Sequence, residues 1–597
     1  MATIAQTIRA DRSFKSEQNP KAETPLPSSI AMTGGSIVVK ALMDQKVDTI
    51  FGYPGGTILP IYDALCAQEQ ISHLLVRHEQ AAVHAAEGYA RTTGKVGVVM
   101  VTSGPGATNT ITGLADAYKD CTPLVCITGQ VPTSLIGTNA FQEADIVNIT
   151  RPCTKRAYLV RDVNELAATI HEAFHVARSG RPGPVVIDLP KDVQQAIGNY
   201  EPPTFLTTPR FPQSIPCRSA IEHAVEILTK AEKPLVFIGG GVVASGTKTC
   251  EILRRFIQET GFPCAATLMG LGAVSSDDNS FLGMVGMHGT FEANMAMHDC
   301  DAMLAIGVRF DDRVTGKIGG FAPKAKIIHI DITPKAIESG VKIDLSIVAD
   351  ASNAIEALSR VWGERKDDRP SLESWREQIK AWRARQCLAY RPVPDKIKPQ
   401  QAISRLAQMA QGRDAYFTTE VGQHQMWAAQ YLRFEKPGHF ITSGGLGTMG
   451  FGFPAAIGVQ MAHPDALVID VAGDASIMMN IQELSTAVQY GLPVKIFILR
   501  NRWMGMVRQW QELQHDKRYY QTRPESLPDF VKLAEAFGAS GFRAEKPEEL
   551  DRAIAAMLEV KDRPAILEVA VDGDENCLPM ILPGKAHNEM LMPDPVS

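Results

Sequence analysis

Val468-Ile-Asp-Val-Ala-Gly-Asp-Ala-Ser476 and Ile496-Phe-Ile-Leu-Arg-Asn501, with Asn501 standing 27 positions after Asp474, decide the fold of this chain. Each is a short apolar run closed by a polar residue, the pattern of a buried parallel strand. Between them Ile481-Gln-Glu-Leu-Ser-Thr-Ala-Val-Gln-Tyr490 carries apolar residues at helical spacing and ends at Gly491-Leu-Pro493. The unit is β-turn-α-turn-β. A right-handed crossover brings the carboxyl ends of both strands to one sheet edge, where open α/β sheets bind ligands. Asp474 and Asn501 offer oxygen donors there, suited to a hard divalent cation that also holds phosphate oxygens.

The 597 residues suffice for three or four domains. Hydrophobic residues at 45%, charged residues at 21% and a net charge of -6 describe an ordinary globular chain, with no basic surplus for nucleic acid or membrane surfaces. No apolar run reaches the length of a membrane span. Residues 1–30 are polar and Pro-containing and are expected to form a disordered tail; Asp11, Glu17 and Glu23 argue against a transit peptide. The ten cysteines are scattered without a C-x-x-C pair, as in a reduced cytoplasmic protein.

Two breaks, Tyr200–Pro212 and Arg365–Asp395, the second enclosing a polar helix around Trp375–Arg385, divide the chain into blocks at 31–198, 213–364 and 396–575, with a tail at 576–597. The outer blocks echo each other. Strand Val96–Thr102, turn Ser103–Gly106, helix, Thr122-Pro123 and strand Leu124–Thr128 parallel strand Leu467–Val471, turn Ala472–Ala475, helix, Leu492-Pro493 and strand Val494–Leu499. Gly104 to Pro123 and Asp474 to Pro493 share a spacing of 19 residues. Either an old duplication or the common physics of βαβ units accounts for this. In the middle block, strands Pro234–Ile238, Ala302–Ile306 and Lys326–Ile330 alternate with helices. Gly239-Gly-Gly-Val-Val-Ala244 fits the loose dinucleotide fingerprint G-x-G-x-x-A, and Asp331 stands where a carboxylate could bind a ribose hydroxyl. Glycines after strands also serve turn geometry alone. Glu79, in Arg77-His-Glu-Gln80 after strand Ile71–Val76, reads from its own residues as a helix-start carboxylate.

Several motifs come in order: Tyr53-Pro-Gly-Gly56, Arg77–Gln80, Thr102-Ser-Gly-Pro-Gly-Ala-Thr-Asn109, Ile127-Thr-Gly-Gln-Val-Pro132, Ala140-Phe-Gln-Glu143, Arg181–Asp192, Phe310-Asp-Asp-Arg313, Val421-Gly-Gln-His-Gln-Met426, Gly444–Gly450 and Met506-Val-Arg-Gln-Trp510. Together they resemble the acetohydroxyacid (acetolactate) synthase catalytic subunits, among the thiamine-diphosphate enzymes, from about residue 30 onward. The resemblance implies an α/β protein of three doubly wound parallel-sheet domains: pyrimidine-binding, central FAD-binding and diphosphate-binding. It implies that Glu79 hydrogen-bonds the aminopyrimidine of thiamine diphosphate and that Mg2+ is held by Asp474, Asn501 and the Trp503 carbonyl. Gly56, Gln142, Val421, Gly422, Gln423, His424, Ala475 and Ser476 would contact the cofactor, and Met449 would wedge beneath it. Gln142, Lys191 and Arg313 would act on substrate, with Thr57, Pro132, Phe141 and Trp510 lining its pocket. FAD, structural rather than redox-active, would contact Gly239, Gly240, Gly241, Thr267, Leu268, Met287, His288, Gly307, Arg309, Asp331 and Asp350.

The implied reaction decarboxylates pyruvate and condenses the hydroxyethyl-thiamine carbanion with pyruvate or 2-oxobutyrate, for branched-chain amino acid biosynthesis. The implied assembly is a homodimer or homotetramer with sites between subunits and a small regulatory subunit. Departures from the family pattern stand at Ala475 (second Gly of Gly-Asp-Gly), Arg500 (first Asn of Asn-Asn), Thr57 (usually Ala) and Asn139 (Asp). A positive φ at Ala475 would cost about 1 kcal/mol. Arg500 would weaken the metal or contact a phosphate, and Thr57 would narrow the pocket mouth and reduce sensitivity to channel-blocking inhibitors. The alternatives are a pyruvate oxidase-like flavoenzyme, an FAD-free acetolactate synthase, or an inactive cofactor-binding scaffold.

Overall fold

The computed structural model describes residues 30–201, 215–333, 340–365, 369 and 371–594. Residues 1–29 of the expected tail at 1–30, most of the first break and part of the second lie outside the described residues, whereas Ile30 opens the strand Ile30–Thr33.

Three six-stranded parallel sheets organise the chain. Across the first lie Ser72–Leu75, Thr49–Tyr53, Gly97–Val101, Leu124–Gln130, Val185–Pro190 and Arg156–Leu159. Across the third lie Phe440–Ile441, Ala415–Thr419, Leu467–Gly473, Lys495–Arg500, Ala565–Ala570 and Ser540–Ala544. Ranked by position along the chain, both follow the order 2-1-3-4-6-5. The sequence echo therefore extends to whole-sheet topology. The central sheet runs 3-2-1-4-5-6, through Phe281–Met284, Cys264–Ala266, Pro234–Ile238, Ala302–Ile306, Lys326–Asp331 and Leu345–Val348. This is the order of dinucleotide-binding doubly wound sheets.

The strands form because their apolar runs are buried on both faces: Val98–Val101, Leu235–Ile238 and Val468–Ala472 are almost wholly inaccessible. The helix read between the two opening strands starts as a 3-10 turn, Ile481–Glu483, and continues as Leu484–Gln489. The polar helix of the second break, Glu373–Arg383, buries Trp375, Ile379 and Trp382 in the core of the central sheet, and Trp375 Nε1 donates to the Pro234 carbonyl at 3.1 Å. It belongs to that unit rather than to a bare linker.

The outer units meet through helices Glu79–Thr93 and Gly452–Ala462, which share one hydrophobic cluster. A Cβ on Gly88 would run into the Ala455 carbonyl oxygen, and one on Gly458 into that of Ala85. The helices thus touch backbone to backbone, which only glycine permits. No helix among the described residues is long and apolar enough to cross a membrane. All ten cysteines are free; six are buried, whereas Cys66 and Cys217 are exposed.

Candidate active site

The strand expected over Ile71–Val76 spans Ser72–Leu75, and Glu79 opens the helix Glu79–Thr93, in keeping with its reading as a helix-start carboxylate. The cause is local: His78 is extended and its Nδ1 accepts the Gln80 N–H at 3.2 Å, an N-cap that starts the helix one residue later. Asn109 Nδ2 donates to Glu79 Oε2 at 2.9 Å.

The same edge of the first sheet gathers the neighbouring candidates. Gln142 is left-handed, with φ 59°, and its backbone packs against Gly104. Gly56 and Thr57 follow strand Thr49–Tyr53, and Phe141 is 88% exposed. Pro132 precedes Thr133, whose N–H reaches Asp192 at 3.0 Å, beside Lys191 at the start of helix Lys191–Gln195. The Thr57 hydroxyl does not narrow a mouth: it is turned inward, 3.0 Å from Thr102 Oγ1 and accepting the Ser103 N–H at 3.0 Å.

The third sheet carries the other half. One small cavity is lined by Val421–His424, Met449, Asp474–Ser476, Asn501 and Trp503. Every diphosphate and metal candidate read from the sequence is there. Asp474 Oδ2 accepts the Arg502 N–H at 2.6 Å, while its Oδ1 is buried without a partner. Asn501 Oδ1 accepts the Trp503 N–H at 3.0 Å, in a turn where Arg502 has φ 60°. Burial pushes the Asp474 carboxyl up to about 6, against backbone donors that favour its charge. A buried carboxylate oxygen left over beside an amide oxygen fits a hard divalent cation. Burial also holds His424 neutral, its pKa pushed down to about 3.

Two departures from the family pattern stand beside this cavity. Ala475 is absent from the left-handed residues, so it carries no φ strain. Arg500 is held by carboxylates, and its charge reaches Asp474 only electrostatically, favouring the ionised carboxylate. Ile498 pairs with Glu568 in register, and Arg500, two residues on, shares that face and forms an ion pair with Glu568, with Glu545 3.7 Å away.

The flavin candidates line one edge of the central sheet, at the carboxyl ends of all six strands: Gly239–Gly241, Thr267 and Leu268, Met287 and His288, Gly307 and Arg309, Asp331, and Asp350. Burial raises the Asp331 carboxyl, opposed by His329 and Arg181. Asp350 caps the helix Ala351–Glu364. Arg309 reaches the first unit, bonding the Lys119 carbonyl. Farther along, Arg313 lies over the Trp510 ring, 5.9 Å from its centroid.

Three family models match in sequence order: the N-terminal TPP binding domain of thiamine pyrophosphate enzymes at 32–149, their central domain at 221–358 and their C-terminal TPP binding domain at 420–569. The chain is 48% identical to the acetolactate synthase isozyme 3 large subunit of Escherichia coli, over 94% of this chain and 98% of that one. It belongs to the acetolactate synthase catalytic subunits of the thiamine pyrophosphate enzyme family. Other acetolactate synthases agree: the large subunit of Haemophilus influenzae is 46% identical over 94% of this chain and 99% of its own length. The mitochondrial catalytic subunit of Saccharomyces cerevisiae is 46% identical over 96% and 86%. Sequence reasoning missed Asn109, which bonds Glu79, and Gln509, which bonds Gln423 behind Asn501; Asn109 closes a motif already quoted, so its position alone was a usable signal.

Proposed function

We propose that this acetolactate synthase uses Mg2+ and FAD with thiamine diphosphate, and joins pyruvate to a second pyruvate or to 2-oxobutyrate. The observation that carries the metal is the unpartnered, buried Asp474 Oδ1 in one cavity with Asn501 and Trp503. These three would hold Mg2+, with Gly422, Gln423, His424 and Ser476 around the diphosphate. When bound, thiamine diphosphate supplies the electron sink for loss of carbon dioxide from a 2-oxo acid.

The chain's own residues supply the rest. Asn109 occupies Glu79 Oε2, so Oε1 would be the atom to share a proton with an aminopyrimidine nitrogen. Arg313 is 63% exposed and its nearest carboxylate, Asp312, is 3.9 Å away, so its guanidinium is available to clamp the acceptor carboxylate. Trp510, Phe141 and Pro132 would shape the pocket, and Lys191 and Gln142 would contact substrate. FAD would lie along the central-sheet edge as a structural element. Residues 31–198, 213–364 and 396–575 would be the pyrimidine, FAD and diphosphate domains, with 576–597 a tail near the site.

The cavity at Asp474 is lined only by residues 421–507, with none from the Glu79 edge. Both edges expose large apolar side chains, Tyr53, Leu59 and Phe141 on one, Met479, Met504 and Val507 on the other. A second copy would cover both and complete each site, giving a cytoplasmic homodimer or homotetramer. The relatives' name "large subunit" supports a separate regulatory subunit.

Purified protein should form acetolactate from pyruvate only with thiamine diphosphate and Mg2+, and should lose activity on flavin removal. Full activity in a colourless protein removes FAD from the reading. Rapid flavin bleaching by pyruvate without air replaces carboligation with an oxidase.

A further inference from the structure

Gln509 has no exposed surface, yet its amide is fully engaged. Oε1 accepts from Gln423 Nε2 at 2.8 Å and from the Cys577 N–H at 2.8 Å. Nε2 donates to the Cys577 carbonyl at 3.0 Å and faces Met580 Sδ at 3.1 Å. Gln423 in turn accepts from Asn501 Nδ2 at 3.4 Å. One amide therefore joins the metal loop, the helix Gly505–Gln514 that carries Trp510, and the segment Cys577–Met580. The approach is tight: a Cβ on Gly505 would strike Gln423 Oε1. Arg508, also buried, donates to the Glu575 carbonyl at 3.0 Å.

The same segment continues onto the central unit. Ile581 N–H donates to the Met287 carbonyl at 2.8 Å, and His587 Nε2 sits 2.8 Å from the Val314 carbonyl. Those contacts flank Arg313, which faces Trp510 from the other side. The segment thus ties together the two residues expected to receive the acceptor.

We propose that Gln509 is a positioning residue that couples the metal loop to the C-terminal segment, and so sets both Mg2+–diphosphate affinity and the Arg313–Trp510 spacing that selects the acceptor. This rests on the reading of Asp474 and Asn501 as the metal site and of Arg313 and Trp510 as the acceptor pocket. Removing the amide leaves the Cys577 N–H without its acceptor and takes one of two acceptors from Gln423 Nε2, which keeps the Glu575 carbonyl at 3.2 Å, a state relieved by water entry as the segment lifts and Gln423 turns from Asn501.

The test uses the full chain as wild type, Gln509→Met, Gln509→Asn as a milder second variant, and Asn501→Ala as a control. Mg2+–thiamine diphosphate binding is read by quenching of tryptophan fluorescence, since Trp503 lines the cavity. Trypsin cleavage after the half-exposed Lys585 is followed without cofactor. The product ratio is taken from pyruvate competing with 2-oxobutyrate. Gln509→Met should raise the dissociation constant about tenfold, accelerate cleavage at Lys585 and shift the product ratio, and Gln509→Asn should do the same to a smaller extent. Wild-type affinity and wild-type cleavage in either folded variant, even with lowered thermal stability, overturn the coupling. If Asn501→Ala binds the metal cofactor normally, the metal assignment fails instead, and cleavage and product ratio alone decide the role of Gln509.

Discussion

Asn109 holds Glu79 in place: its amide nitrogen lies 2.9 Å from Glu79 Oε2, which leaves Oε1 for the cofactor contact proposed above. Glu79→Gln should lower kcat by about 10²- to 10⁴-fold, the span of a lost acid–base group. Asn109→Ala keeps the carboxylate but frees it to rotate, and should cost about tenfold in kcat with unchanged Mg2+ affinity. Steady-state acetolactate formation beside a Mg2+ titration separates the two; equal loss of metal affinity in Asn109→Ala would contradict the assignment.

The Arg313–Trp510 contact predicts a change of preference rather than of rate. Trp510→Leu removes a cation–π contact of about 0.5–1 kcal/mol and opens the pocket, so the ratio of 2-oxobutyrate to pyruvate products should move by a factor of about two to five. Competition between the two acceptors at fixed total concentration measures it.

Ala475 should not matter for the metal, and Arg500 should act there only through the charge it brings near Asp474. Ala475→Gly should leave Mg2+ affinity unchanged, because the backbone there is ordinary. Arg500→Asn should instead destabilise the fold by roughly 1–3 kcal/mol, since Glu568 is buried and would keep only its bonds to Arg543. Urea unfolding of each variant, paired with a metal titration, distinguishes loss of stability from loss of binding.

Glu483 predicts a pH signature. Burial raises its carboxyl from 4.5 to about 7, although it accepts from Thr486 Oγ1 at 2.6 Å and from the Arg77 N–H at 3.0 Å. The folded chain therefore holds this proton at pH values where the unfolded chain has released it. Its contribution is present below about 4.5 and is lost as pH rises toward 7. Relative to Glu483→Gln, wild type should lose on the order of 1–3 kcal/mol between pH 5 and 7.5 in urea melts. A constant difference across that range would show that Glu483 stays ionised.

Strands Pro234–Ile238 and Ala302–Ile306 were legible to the residue because a doubly buried strand writes itself as an unbroken apolar run. Asp474 and Asn501 were legible as a pair because one crossover joins them. What stayed hidden depends on partners far away in sequence: Asn109 on Glu79, Glu568 on Arg500, and Cys577 on Gln509. Polar side chains carry no periodicity that names their partner. The inward turn of Thr57 is of the same kind, decided by Thr102 and Ser103 on the adjacent strand's turn.

The backbone contact between helices Glu79–Thr93 and Gly452–Ala462 has a mechanical consequence. With Gly88 seated on Ala455 and Gly458 on Ala85, the outer units have no side-chain layer on which to slide or tilt. They form a fixed jaw. Any opening or closing that catalysis needs would have to come from parts outside this pair of helices.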